Sequence, residues 1–98
     1  MSDGSNDEPV ILPIDGVLDL HTFDPREIAE LVPAWIDECR AQGRIELRII
    51  HGKGRGTLRR RVHAILARRD DVAGYGPAPE DRGGWGATIV TLRSRPGA

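Results

Sequence analysis

Residues 44–69 read RIELRIIHGKGRGTLRRRVHAILARR. The first part alternates as a strand does, with Ile45, Leu47, Ile49 and His51 on one face and Ile50 on the other. Its near-continuous apolar run predicts an interior strand covered on both sides. The last part, from Thr57, repeats at helical spacing: Leu58, Val62, Ile65 and Leu66 form the stripe to be buried, and arginines occupy the remainder. Thr57 is the expected N-cap. Between them Gly52, Gly54 and Gly56 alternate with Lys53 and Arg55. A strand, a glycine turn and a helix in succession are the repeating step of an α/β fold.

Working outward, VILPIDGVLDLH predicts a short extended piece at 10–14 and a strand at 17–21. In that strand Leu18 and Leu20 face the core, and Val17, Asp19 and His21 face away. TFDPREIAELVPAWIDECRAQG is a helix with Asp24 as N-cap, Pro25 at its first position and Glu27 at the capping-box position. Ile28, Val32, Trp35 and Cys39, flanked by Leu31 and Ile36, form its apolar stripe, and Gly43 stops it. Pro33 inside it is expected to kink or split the helix, at roughly 3 kcal/mol or more. VAGY predicts a short third strand, PAPEDRGG a loop and WGATIVTLR a last strand.

The resulting order, β-α-β-α-β-β, predicts a small two-layer α/β sandwich. Its sheet should be mixed, with parallel core strands and an antiparallel hairpin at the end. Residues 1–9 are expected to form a disordered acidic tail, 10–93 a single domain and 94–98 a flexible C-terminal tail.

The chain has 98 residues, enough for one domain, and only 4% are aromatic, so the core must be mainly aliphatic. A single cysteine, Cys39, excludes a disulfide framework and a cysteine-based zinc site. No run is long enough to span a membrane, and MSDGSNDEP lacks the basic start and apolar middle of a signal peptide, so a cytoplasmic location is expected. The net charge of -1 hides a segregation: residues 47–69 carry eight basic side chains and no acidic one. Thirteen of the fourteen basic residues are arginine, whose planar fork suits phosphate. The charge distribution therefore points to an anionic partner.

Two predicted strands end in chemistry-bearing residues, at Asp19-Leu20-His21 and at Ile49-Ile50-His51. In parallel strands such ends lie at one edge, where ligands usually bind. The Gly52-Lys53-Gly54-Arg55-Gly56 loop leaves the same edge and opens onto a helix start, the arrangement by which backbone amides hold phosphate. The spacing fits neither nucleotide fingerprint: Lys53 is followed by glycine rather than Ser or Thr, and glycines fall at the first, third and fifth positions. A polynucleotide backbone is the better expectation. His63, in mid-helix, reads as structural or at the rim. Trp85 reads as packing under the first helix, with stacking on an unpaired base as its other use.

LDLHT at 18–22, HGKG at 51–54 and GWGAT at 84–88 together resemble the small MutS-related (Smr) domain, which occurs alone and at the C-terminus of MutS2 proteins. The resemblance covers about residues 17–93. It implies a fold similar to the C-terminal domain of bacterial translation initiation factor three, and binding of DNA or RNA, with some relatives cleaving one or the other. Carried onto this chain, the motif positions are Asp19, His21, His51, Gly52, Gly54, Gly84, Gly86 and Thr88. Many members have glycine after the first motif's histidine; this chain has Thr22, which disfavours positive φ.

Three readings follow from these residues. In the first, the domain is a DNA-nicking or RNA-cleaving endonuclease, with His21 and His51 as general base and acid and Lys53, Arg55 and the loop amides on the phosphoryl oxygens. Arg59 and Arg60 extend the basic surface. A metal-dependent route would use Asp19 and a histidine to hold Mg²⁺ or Mn²⁺, with Glu80 and Asp81 as further candidates; no cofactor is otherwise implied. In the second, the same surface binds nucleic acid without cutting it. In the third, it meets an acidic protein partner, or the chain's own acidic tail. Partners in larger repair or ribosome-associated machinery accord with the family resemblance.

Overall fold

The computed structural model describes residues 15–54 and 56–93. The expectations for 1–9, 10–14 and 94–98, and the role given to Arg55, lie outside the described residues. Four strands and two helices follow in the order β1 (Val17–Asp19), α1 (Ile28–Ala41), β2 (Glu46–Ile50), α2 (Thr57–Ala67), β3 (Val72–Pro77) and β4 (Ala87–Leu92). The sheet order is β1-β2-β4-β3. β1 runs parallel to β2, and β4 lies antiparallel to both β2 and β3. The sheet is mixed, as the element order predicts. The last strand slides between β2 and β3, so the parallel pair is β1 and β2 and the middle pair is antiparallel.

One face of the sheet carries both helices. Leu18, Leu47, Ile49, Val90 and Leu92 pack there against Ile28, Val32, Trp35, Ile36 and Cys39 of α1 and Val62 and Leu66 of α2. Trp35 is the largest fully buried side chain. The other face carries Glu46, Arg48 and Ile50 of β2, none of them fully buried, so the strand is interior in the sheet but covered on one side. Ile45 stands outside β2 and is 50% exposed, although the alternation had placed it in the core.

Asp24 caps as its sequence predicts: its side chain accepts from the Arg26 amide, and Glu27 reaches back to the Asp24 amide in a capping box. That box opens a 3₁₀ turn, Pro25–Glu27, which runs straight into α1. The helix is not split at Pro33, since α1 runs from Ile28 to Ala41 with the proline inside it. The carbonyl that Pro33 leaves without its amide belongs to Ala29, an exposed residue, so water can satisfy it. Arg69, just after α2, ties the layers by pairing with Asp37 of α1 and with Asp71 before β3. Among the described residues no helix is long and apolar enough to cross a membrane.

The two isoleucines of β2's hydrophobic period should behave oppositely on truncation. Ile49→Ala, at 0% exposure, is expected to cost about 2–5 kcal/mol in urea unfolding. Ile45→Ala should stay within about 0.5 kcal/mol. Equal losses would mean that the one-sided burial of β2 is wrong.

Candidate functional site

The ends of β1 and β2 and the start of β4 meet at one edge. β1 stops at Asp19, and the chain turns through a 3₁₀ segment, Leu20–Thr22. The Asp19 carboxylate makes that turn: its Oδ1 accepts from the His21 amide at 2.9 Å and from His21 Nδ1 at 2.8 Å. Nδ1 therefore carries the proton, and in the neutral ring Nε2 is left as a base. The backbone bond from His21, with help from its ring, holds the Asp19 carboxyl below the usual carboxylate range. Both side chains are exposed. Thr22 sits without strain, since no non-glycine residue among those described has a positive φ. Its hydroxyl lies 3.5 Å from the Asp19 carbonyl.

His21 lies over the start of the glycine loop. A Cβ placed on Gly52, where φ is +89°, would stand 3.1 Å from His21 Nε2. The Gly52 amide and the His51 amide both donate to the Gly86 carbonyl, at 2.8 and 2.9 Å. Gly84, Trp85 and Gly86 form a 3₁₀ turn leading into β4. The loop then reaches Gly56, which precedes α2 with φ +83° and supplies no side-chain cap. Thr57 is the first helical residue rather than the N-cap, so the first amides of α2 keep their donors free of side-chain capping. Arg59 and Arg60 project from this first turn, and a Cβ on Gly56 would meet the Arg60 guanidinium at 3.3 Å.

His51 has a different position from His21. It is 5% exposed, with Nδ1 3.1 Å from the Gly52 carbonyl and Nε2 2.8 Å from the Thr88 hydroxyl. The same hydroxyl lies 3.0 Å from Nε2 of His63. A carbonyl can only accept, so His51 Nδ1 donates to Gly52; its Nε2 then accepts from the Thr88 O–H. The Thr88 oxygen in turn accepts from His63 Nε2–H. One threonine hydroxyl thus fixes the tautomers of two histidines. His63 also stacks at a tilt on Tyr75, with ring centroids 4.9 Å apart. Burial pushes His51 below its ordinary value, partly offset by its bond to Gly52, and burial together with His51 and Arg59 does the same to His63.

The structure therefore brings Asp19, His21, Gly52, Lys53, Gly56, Arg59 and Trp85 to one surface and sets His51, Thr88 and the buried Gly84 and Gly86 beneath it. Trp85 does not pack under α1. It is 66% exposed, with the Arg59 guanidinium carbon 5.0 Å from its ring centroid. His63 has the structural, rim position expected of it, bonded to Thr88 and against Tyr75, but its bond to the strand-end Thr88 and the place of Tyr75 were not expected. The available signal was that Arg59 and His63 are four apart, hence on one face of α2. Among the described residues no three His, Cys, Asp or Glu side chains gather to hold a metal ion. With Oδ1 of Asp19 bonded to His21, a divalent ion here would have Oδ2, waters and substrate phosphates, the mode common for Mg²⁺.

This fold and edge define a small α/β domain whose polar, glycine-rich site sits at the C-terminal ends of its parallel strand pair. The Smr domain family model matches residues 18–93, and the chain belongs to that family. It is 50% identical over 60 residues to endonuclease MutS2 of Solidesulfovibrio magneticus, covering 61% of this chain and 8% of that protein. Against endonuclease MutS2 of Thermus thermophilus it is 38% identical over 76 residues, covering 78% and 10%. The chain thus spans a tenth or less of the length of these relatives. The crystal structure of the Smr domain of Thermus thermophilus MutS2 matches with a TM-score of 0.73 and 38% identity, covering 79% of this chain and 96% of that one. YdaL, a stand-alone small MutS-related protein from Escherichia coli, matches with a TM-score of 0.76 and 34% identity, covering 85% and 68%.

The buried histidines make stability depend on pH with a definite sign. Their folded values are depressed, so the unfolded chain binds the protons first and stability rises with pH. It is fully present above about 6.5, the free histidine value, and is lost as pH falls through the folded values. The urea midpoint should therefore drop between about pH 7.5 and about pH 5.5, above the range where carboxylates titrate. In a His51→Gln, His63→Gln protein that drop should largely vanish. A wild-type midpoint flat across this window would refute the assignment.

Proposed function

We propose that this domain binds a nucleic-acid strand by its phosphates at the glycine-loop edge and cleaves a phosphodiester there, with His21 as the proton-transfer group. The Asp19–His21 pair carries this reading: an exposed imidazole whose tautomer is set by a carboxylate and whose free Nε2 lies over Gly52. Support comes from the uncapped start of α2, from Lys53 and from the arginines of the first helical turn, all suited to an anion. The relatives' name, endonuclease MutS2, accords with it.

In the step itself, His21 Nε2 takes the proton of the attacking oxygen, either an RNA 2′-hydroxyl or water. A new P–O bond forms, the bond to the leaving oxygen breaks, and charge grows on the non-bridging oxygens. Lys53 and the loop amides meet that charge. His51 cannot serve as the partner acid without giving up both of its internal bonds. Its part is to hold the loop, and the leaving oxygen is protonated by His21 in return or by solvent. A reducing cytoplasm is proposed for a chain whose lone thiol, Cys39, is buried and pushed up in pKa by that burial.

End-labelled RNA and DNA, each with Mg²⁺, Mn²⁺ or chelator, test the reading. His21→Ala should lower cleavage by about 10²–10⁴-fold while changing binding little. Asp19→Asn should fall the same way, because it frees the ring to adopt the wrong tautomer. If the wild type binds but never cuts either polymer, the domain is a recognition module and the catalytic half of the proposal fails. Lys53→Ala should weaken binding of every sequence alike and reduce the salt slope of log K by about 1. An unchanged slope would remove Lys53 from the phosphate contact.

A further inference from the structure

The pair formed by half-buried Arg59 and exposed Trp85 stands between two concavities. On one side is a groove of about 170 Å³ bounded by Gly52, Lys53, Gly54 and Gly56. On the other is a cleft of about 320 Å³, within the roughly 300–1,000 Å³ usual for small-ligand sites. Arg59 and Trp85 line both. The groove offers glycine backbone and a lysine, so it suits phosphate. The cleft is different in kind: its floor includes Pro77, Ala78 and Ala87, and its polar rim includes the carboxylate of Glu80.

That carboxylate lines the same cleft as the indole of Trp85. Glu80 Oε2 comes within 3.8 Å of a Cβ placed on Gly84, the residue before Trp85. Among the described residues Glu80 makes no hydrogen bond or ion pair. A carboxylate there repels phosphate and accepts N–H donors. An apolar floor, an exposed aromatic ring and an acceptor at the rim are the three things a splayed nucleobase requires: a flat surface to cover, a ring to stack on and an edge contact.

We propose that this cleft is a nucleobase-reading pocket, and that one nucleotide straddles the Arg59–Trp85 wall with its phosphate on the glycine loop and its base against Trp85 and Glu80. The proposal rests on the phosphate-binding reading above and adds to it a base preference. Guanine is the base that fits best. Its Watson–Crick edge presents an N1–H and an exocyclic N2–H side by side, two parallel donors for the two oxygens of one carboxylate. Adenine and cytosine present one amino group next to a ring acceptor. Uracil and thymine place a carbonyl on each side of their single N–H, and those carbonyls face the carboxylate unfavourably.

The test measures binding, by fluorescence anisotropy, of short single-stranded uridine and thymidine oligomers in which one central base is changed to guanine, adenine or cytosine. The wild-type protein should favour the guanine-bearing oligomer over the unsubstituted one by roughly 5- to 150-fold, the value of one good bidentate contact. Glu80→Gln swaps one acceptor for a donor and lifts the repulsion of the pyrimidine carbonyls, so it should erase this preference, with affinity for the unsubstituted oligomers held or raised rather than lowered. Trp85→Ala should weaken all of them. Wild-type affinity that is the same for every central base overturns the pocket and leaves the phosphate reading intact. A guanine preference that survives Glu80→Gln overturns the role of Glu80 and with it the pocket. No binding of any oligomer, at any salt, removes both.

Discussion

The carbonyl oxygen of Gly86 accepts two consecutive backbone amides, those of His51 and Gly52, and so joins the turn before β4 to the loop after β2. Each such bond contributes about 0.5–1.5 kcal/mol net, but their placement matters more than their sum. Because β4 lies next to β2, the two segments that meet at this oxygen are held in register by the sheet itself. The approach is so close that a Cβ on Gly86 would stand 3.2 Å from Lys53 Cγ and 3.5 Å from the Gly52 carbonyl carbon. On the far side of Gly52 lies the ring of His21. His21, Gly52 and Gly86 thus form a stack in which both glycine positions are filled by neighbours rather than by a side chain.

Below that stack the Thr88 hydroxyl does for the side chains what the Gly86 carbonyl does for the backbone. It is fully buried and satisfied on both sides by imidazole nitrogens. A buried polar group so placed stabilises one arrangement and penalises any other, since a rotated ring would leave a donor or acceptor unmet. The two strand-end histidines have consequently divided their tasks. Both ring nitrogens of His51 are bonded within the fold, whereas among the described residues the ring of His21 is bonded through Nδ1 alone.

Most local features were legible because they depend on neighbours in sequence. The capping box at Asp24, the stripe of α1, the strand leading into His51 and the glycine loop all follow from spacing of a few residues. What sequence did not carry was decided by distant neighbours. Nothing in WGATIVTLR says that it will enter between β2 and β3. Once it does, Thr88 lies opposite Ile49 and beneath α2, and His63 acquires a partner twenty-five residues away. Trp85 reads as core by hydrophobicity alone. Its exposure goes with its place in the turn before β4, where a guanidinium lies close enough to share its ring. Ile45 kept the strand's alternation but fell one residue outside its ladder.

Both borders of the sheet are poor templates for another chain. β1 offers three residues. β3 has an irregular register between Val72 and Gly74, carries glycines at 74 and 76, and ends in Pro77, which has no amide to donate. Short length, a bulge and proline are the devices by which sheets resist joining edge to edge. Copies of the domain brought close together would meet at such borders. Borders built this way let them lie side by side without fusing into a continuous sheet, and so guard against aggregation.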